Sequence, residues 1–246
     1  MIQLRDVYKS FGTKEVLRGF SLDVPEGKNT VLMGFSGSGK SVTLKLVAGL
    51  LTPDSGEVLV DGKSVPDLDP DGLALLRRDI AFVFQFAALF DSMTVEENIR
   101  LGLRKQGMDD GDQAARVRES LALVNLAGAE GRYPAELSGG MRKRVGIARA
   151  VALKPRYILY DEPTTGLDPV TAAVIDDLMM RTRDLGATGL IVTHDLRTSF
   201  KCGDRIAMLY EGRLRAVGTG DELRRSDDPV VTDFIEGRPT VAEGVT

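Results

Sequence analysis

An eight-residue stretch, Gly34-Phe35-Ser36-Gly37-Ser38-Gly39-Lys40-Ser41, constrains this chain more than any other part of it. It fits the pattern G-x-x-x-x-G-K-[ST]. An apolar run, TVLMG at 30–34, leads into it, and SVTLKLVAGLL at 41–51 follows with apolar residues at helical spacing. A buried strand that enters a glycine-rich turn and leaves as a helix brings several backbone N–H groups to the inside of one loop. There they attract phosphate oxygens. The start of the helix adds partial positive charge. In this pattern Lys40 is expected to reach the β- and γ-phosphates of a nucleotide, and the Ser41 hydroxyl to bind Mg²⁺. Gly34, Ser36, Gly37, Ser38, Gly39 and Val42 are expected to complete the contacts with the nucleotide. Phe35 is bulky for such a loop; only its backbone is needed there, so its ring is expected to turn away from the phosphates.

The remaining runs alternate between strand and helix. The first 24 residues read as short strands with turns at Gly12 and Gly19. EVLVDG at 57–62 is a strand and a turn, and IAFVFQ at 80–85 is an apolar strand. From about 87 to 153 strand-like runs stop and charge-rich helical stretches take over, DQAARVRESLALVNL at 112–126 among them. YILYD at 157–161 restores the strand pattern. Asp168 then caps a helix, Pro169 takes its first position and Gly186 ends it. GLIVTH at 189–194, RIAMLY at 205–210 and RLRAVG at 213–218 close the series. Alternation of this kind predicts an α/β fold with a largely parallel, doubly wound sheet, interrupted by a helical insertion. The final residues, GRPTVAEGVT, read as an extended tail.

The strand YILYD delivers Asp161 to its end, with Glu162 and Pro163 behind it. An acid at the end of a buried apolar strand needs a partner. Hydrated Mg²⁺ would serve Asp161, leaving Glu162 to polarise an attacking water.

Leu137-Ser138-Gly139-Gly140-Met141 resembles the LSGGQ signature of ABC ATPases. Other landmarks of that family occur in order: Gln85 like the Q-loop glutamine, Asp161 and Glu162 like the Walker B pair, Gly166-Leu167-Asp168 like the D-loop, and His194, the only histidine, like the switch histidine. Phe11, in KSFG, falls where an aromatic stacks on adenine, with Tyr8 close enough to be the alternative. The resemblance covers residues 2–235. It implies a P-loop NTPase of the RecA-like kind: a mostly parallel sheet core at 1–86 and 154–237, an N-terminal antiparallel β subdomain, a helical subdomain at 87–153 and a tail at 238–246.

It also implies ATP and Mg²⁺ as cofactors, with Ser41, Gln85 and Asp161 at the metal. Glu162, His194 and Gln85 would be catalytic. Ser138, Gly139, Gly140 and Asp168 would meet ATP held by a second copy, in a head-to-tail homodimer.

Three features resemble the Mla-type, MCE-associated phospholipid transport ATPases within the family. They are Phe84-Gln85-Phe86-Ala87-Ala88-Leu89-Phe90 followed by Met93-Thr94-Val95 and Asn98, then Met141 in place of glutamine, and lastly the ending Asp228-Pro229 … Phe234-Ile235-Glu236-Gly237. Thr164-Thr165 behind the Walker B pair is a modest departure. This likeness implies an integral membrane permease as partner, with an MCE-type lipid-binding protein and a small regulatory subunit as further candidates. An amino-acid or other small-solute importer is the alternative, and a soluble ATPase acting on DNA or ribosomes a lesser one. The AALF segment would receive the permease, or else pack internally.

Charge bears on that last alternative. The net charge is -4, and the cations after the signature, Arg142, Lys143, Arg144 and Arg149, carry no interleaved aromatics. They read as a solvated helix face, with no nucleic-acid partner. The single cysteine, Cys202, excludes an internal disulfide. No apolar run reaches the ~20 residues a membrane span needs. The expected location is therefore cytoplasmic, and the resemblance to ABC transporter ATPases implies a peripheral place on the inner face of the cell membrane.

Overall fold

A computed structural model describes residues 1–238. Beyond its first residue, the expected tail lies outside them. The chain divides into two compact units, Met1–Leu68 with the chain from Leu190 onward, and Asp69–Gly189.

In the first unit, β1 (Ile2–Phe11) and β2 (Lys14–Val24) form an antiparallel hairpin around Gly12 and Thr13. β4 (Ser55–Val60) pairs with the other edge of β1, and β5 (Lys63–Ser64) with β4, giving the order β2-β1-β4-β5. Ile2, Leu4 and Val7 of β1 are buried, as are Leu17, Phe20, Leu22 and Val24 of β2. That is the one-sided burial expected of an antiparallel sheet. The sequence placed a turn at Gly19; instead β2 runs through it. Register shifts on either side of Val7 mark a bulge, with Gly19 at φ 75°. A Cβ at position 19 would sit 2.8 Å from Asp6 Oδ1, so the bulge requires glycine.

β3 (Asn29–Met33) is buried at every residue and runs parallel to β9 (Arg205–Tyr210). β10 (Arg213–Gly218) returns antiparallel to β9, making this a mixed sheet. From β3 the chain enters the glycine-rich loop and then α1 (Lys40–Val47). α7 (Leu196–Cys202), α8 (Gly220–Arg224) and α9 (Pro229–Glu236) complete the unit.

The second unit opens with α2 (Pro70–Asp79), a helix with no strong apolar periodicity to announce it. Its signals were local: Asp69 accepts from Gly72 N at 2.7 Å, and Pro70 takes the first turn. β6 (Ile80–Val83) pairs parallel with β7 (Tyr157–Asp161). β6 stops two residues short of the expected strand end, and Phe84 lies exposed beyond it. α3 (Val95–Lys105) and α4 (Asp110–Leu123) pack on α5 (Gly139–Ala152). Their shared core includes Ile99, Leu103, Val117, Leu121, Val145 and Ala148, all at most 1% exposed. α6 (Pro169–Asp184) follows β7. β8 (Thr188–Thr193) spans the division between the units. The architecture is α/β, with an antiparallel N-terminal sheet, a mixed sheet and a helical stretch.

Candidate nucleotide site

The first unit holds Phe11, residues 34–42 and His194. Three glycines shape the loop, with φ of 154° at Gly34, 78° at Gly37 and 109° at Gly39, the N-cap of α1. A Cβ at Gly34 would collide with the Leu209 carbonyl, and one at Gly39 would lie 3.0 Å from Val16 and Leu17 side chains. The loop therefore lies against β9 and β2 where only glycine fits. The Lys40 ammonium, buried, donates to Gly34 O at 2.8 Å and Phe35 O at 3.0 Å, closing the loop on itself. Ser41 and Val42 lie half-buried in the first turn of α1.

Ser38 Oγ is buried and has no protein partner. A buried hydroxyl without a partner carries a desolvation cost of about 1–3 kcal/mol, which an incoming acceptor or donor would relieve. Beside an ammonium and the first N–H groups of a helix, that acceptor chemistry suits a phosphate oxygen. The residues present thus fit a nucleotide phosphate. The Phe35 ring, as expected, turns outward: it meets Phe234 of α9 edge-on at 4.8 Å and Tyr210 at 6.0 Å. Phe11 and Tyr8 are 48% and 41% exposed, so both remain available to a base. Lys9 Nζ lies 5.6 Å from the Phe11 ring centre and 2.7 Å from Asp54 Oδ1. His194, exposed, follows β8 directly. Asp195 fixes the turn behind it, accepting from Arg197 N at 2.8 Å while donating its own N–H to Thr193 Oγ1 at 3.0 Å.

The second unit holds Gln85, Ser138, Gly139, Gly140, Asp161, Glu162 and Asp168. Four buried residues of β7 lead to half-buried Asp161. At Glu162 the backbone flips to φ 48°, a left-handed conformation that costs a non-glycine residue about 1–3 kcal/mol and needs support. Thr165 Oγ1 donates to Glu162 Oε2 at 3.0 Å. Lys143 supplies more: its ammonium donates to Thr165 O at 2.6 Å, Pro163 O at 2.8 Å and Glu162 O at 3.4 Å. Burial pulls the Lys143 ammonium down to about 8, opposed by attraction to the Glu162 carboxylate.

Asp168 caps α6, accepting from Val170 N and Thr171 N at 3.0 Å each and from the Thr171 hydroxyl. Its carboxyl is held below the usual range, the Thr171 hydroxyl being the main cause. Ser138 caps α5 through Met141 N at 3.3 Å, and Gly139 and Gly140 open the helix. Gln85 lies half-buried two residues past β6. Ala87 and Ala88, at φ 59° and 46°, make a tight turn after it. Arg149 holds that turn, donating to Ala87 O and Ala88 O at 2.7 Å each. Burial lowers the Arg149 guanidinium from its usual range.

These contacts correct the expectation of a solvated cationic face on α5 for Lys143, Arg144 and Arg149, which are half-buried, while Arg142 is exposed. Arg142 donates to Leu137 O, and Arg144 to Val124 O and Asn125 O. All four cations after the signature thus donate to backbone carbonyls, Lys143 sharing Glu162 O with the Thr165 N–H. Sequence spacing could not show this, because the recipients lie up to 62 residues away.

The chain matches the ABC transporter family over residues 17–165. It is 42% identical to the Arabidopsis thaliana chloroplastic protein TRIGALACTOSYLDIACYLGLYCEROL 3, over 96% of this chain and 74% of that one. It is 41% identical to the probable ribonucleotide transport ATP-binding protein mkl of Mycobacterium leprae, over 96% of this chain and 69% of that one. Among solved structures it resembles a dimeric ATP-binding cassette bound to ADP and Pi in a post-hydrolysis state. That likeness has a TM-score of 0.82 and 36% identity, over 89% of this chain and 98% of that one. With its phosphate loop, its capped signature helix and these relatives, the chain belongs to the ABC transporter family, as an ATP-hydrolysing, ATP- and Mg²⁺-dependent subunit.

Proposed function

We propose that this chain is the motor of a membrane transporter for phospholipid or another lipid, working as a homodimer bound to an integral membrane permease. In this reading Lys40, Ser38 and the backbone of Gly34, Ser36, Gly37, Gly39 and Val42 hold the phosphates, and Phe11 stacks on the base. Ser41, Asp161 and Gln85 hold Mg²⁺, a cation that takes few protein oxygens alongside substrate phosphates. Bound MgATP supplies the transferable phosphoryl group and the cation that neutralises its charge. Glu162 accepts a proton from the attacking water at its carboxylate, which Thr165 orients through Oε2. His194 holds the phosphoryl oxygens. Ser138, Gly139 and Gly140 present the start of α5 to the nucleotide of the second copy, and Asp168 connects the two sites, which makes the dimer two-fold symmetric.

The permease reading rests on the Gln85 segment. Phe84, Phe86 and Phe90 are 39%, 86% and 54% exposed within seven residues. Leu89 is half-buried, which leaves Phe90 rather than Leu89 as the contact. Asn98, buried, pins this loop: its amide donates to Phe90 O at 3.1 Å and Met93 O at 3.1 Å and accepts from Phe90 N at 2.8 Å. Exposed aromatics on a pinned loop suit an apolar partner helix. No helix among the described residues is long and apolar enough to cross a membrane.

The lipid cargo rests on one observation, the 42% identity to a relative named for a glycolipid. The name of the Mycobacterium leprae relative favours a second reading, a ribonucleotide transporter. A pull-down from native membranes in mild detergent, with mass spectrometry of proteins and lipids, tests both. A stoichiometric membrane subunit carrying phospholipid, with an MCE-type partner, supports the proposal. A solute permease without enriched lipid moves it to the solute class, and soluble partners alone overturn it.

A further inference from the structure

Lys143 stands where two parts of the site meet within one unit. It projects from the second turn of α5, whose first turn is capped by Ser138. Its ammonium reaches the loop that follows β7 and collects three carbonyls there, those of Glu162, Pro163 and Thr165. Three carbonyls aimed at one point repel each other unless a cation holds them, and Lys carries three donors on a long flexible stem. The backbone they belong to is the strained one: Glu162 is left-handed at φ 48°. Remove the cation, and the Pro163 and Thr165 carbonyls must turn to water, leaving the turn that aims the Glu162 side chain only the long bond from Thr165 N to Glu162 O at 3.3 Å.

The same helix is held to α6 at a second point. A Cβ at Gly140 would collide with the Thr171 methyl, and Thr171 donates to Asp168. The start of α5 and the 162–168 loop are thus tied at both ends.

We propose that Lys143 is a positioning residue for hydrolysis, a strut that transmits the placement of the signature helix to the carboxylate of Glu162 in the same chain. The inference rests on the reading of Glu162 as the base. It adds a route by which phosphate sensed by α5 at one nucleotide sets the geometry of the acid that acts at the other.

The test compares Lys143→Met, Lys143→Arg and Lys143→Gln as full chains, reading kcat, the KM for ATP, fluorescent-nucleotide affinity and melting temperature. Lys143→Met is expected to lower kcat about tenfold or more, with KM and nucleotide affinity within about twofold. Lys143→Arg, which keeps a multidonor cation, is expected to recover most of the rate. Lys143→Gln, able to meet at most two carbonyls, is expected to fall between them. A wild-type kcat in Lys143→Met overturns the strut. So does a loss of rate matched by an equal loss of nucleotide affinity. If the methionine variant does not fold, the glutamine variant decides: a kcat equal to wild type overturns the proposal, and a reduced kcat with unchanged affinity supports it. Glu162→Gln, measured in parallel, separates the two readings, since full turnover there removes the base assignment whatever Lys143 does.

Discussion

Gly140 and Thr171 are packed so closely that the Thr171 methyl occupies the space a side chain at position 140 would need. The second glycine of the signature, whose N–H lies in the first turn of α5, is therefore required for its missing Cβ, which lets α5 sit on the first turn of α6.

Gly140→Ala is expected to destabilise the chain by about 1–3 kcal/mol, the usual cost of forcing a methyl into a packed contact. Thr171→Ser removes the opposing methyl and keeps the hydroxyl that reaches Asp168, so it should restore most of the melting temperature of Gly140→Ala. Hydrolysis should stay low in the double variant if the start of α5 must approach phosphate closely. Thermal unfolding and ATPase assays on the three variants check this; recovery of both together would leave Gly140 a packing role only.

Glu162→Gln keeps size and shape but cannot take a proton. ATP binding is expected to be unchanged, turnover to fall by about 100-fold or more, and a stable dimer to accumulate with ATP. Size-exclusion chromatography with and without ATP reads the dimer. Full turnover in this variant would reject the assignment.

The Phe35 ring ties the phosphate loop to α9 through Phe234. An edge-on aromatic pair contributes about 0.5–1.5 kcal/mol. Phe234→Ala is expected to weaken nucleotide binding by a few-fold with kcat at saturation nearly unchanged, because the loop is loosened but its donors remain. Fluorescent-nucleotide titration measures the change, and an unaltered affinity would show that α9 has no hold on the loop.

Lys143 is expected to move activity and its own contribution to stability in opposite directions with pH. Its ammonium is lowered from 10.5 to about 8 in the folded chain, with the Glu162 carboxylate the charged group facing it. Below about pH 8 the ammonium holds the three carbonyls, and as pH rises through 8 the charge is lost and kcat is expected to fall. Between about 8 and 10.5 the unfolded chain binds more protons than the folded one, so this group's contribution to stability rises with pH. Lys143→Arg stays charged and should carry the fall in kcat to higher pH. A wild-type kcat flat through pH 8 to 9.5, or one that declines identically in the arginine variant, would show that another group governs the profile.

Much of this protein was legible in one dimension because its signals are local. The loop 34–41 declares itself through glycine and lysine spacing, since only glycine tolerates its left-handed turns. Asp168 and Pro169 mark the start of α6 because an N-cap needs only a side chain and the N–H groups next to it. β7, β9 and β10 are where their apolar and alternating runs put them.

What tertiary structure decided were the long-range partners. Gly19 carries a turn residue's signal, yet it serves a bulge, because Asp6 and Tyr8 of the neighbouring strand press against it. The cations of α5 have the composition of a solvated face, yet Lys143, Arg144 and Arg149 each donate to a loop carbonyl brought close by packing. A side chain's type can be read from the chain, and so can its helical phase. Which carbonyl it satisfies depends on where distant loops end, and that is set only when the core closes.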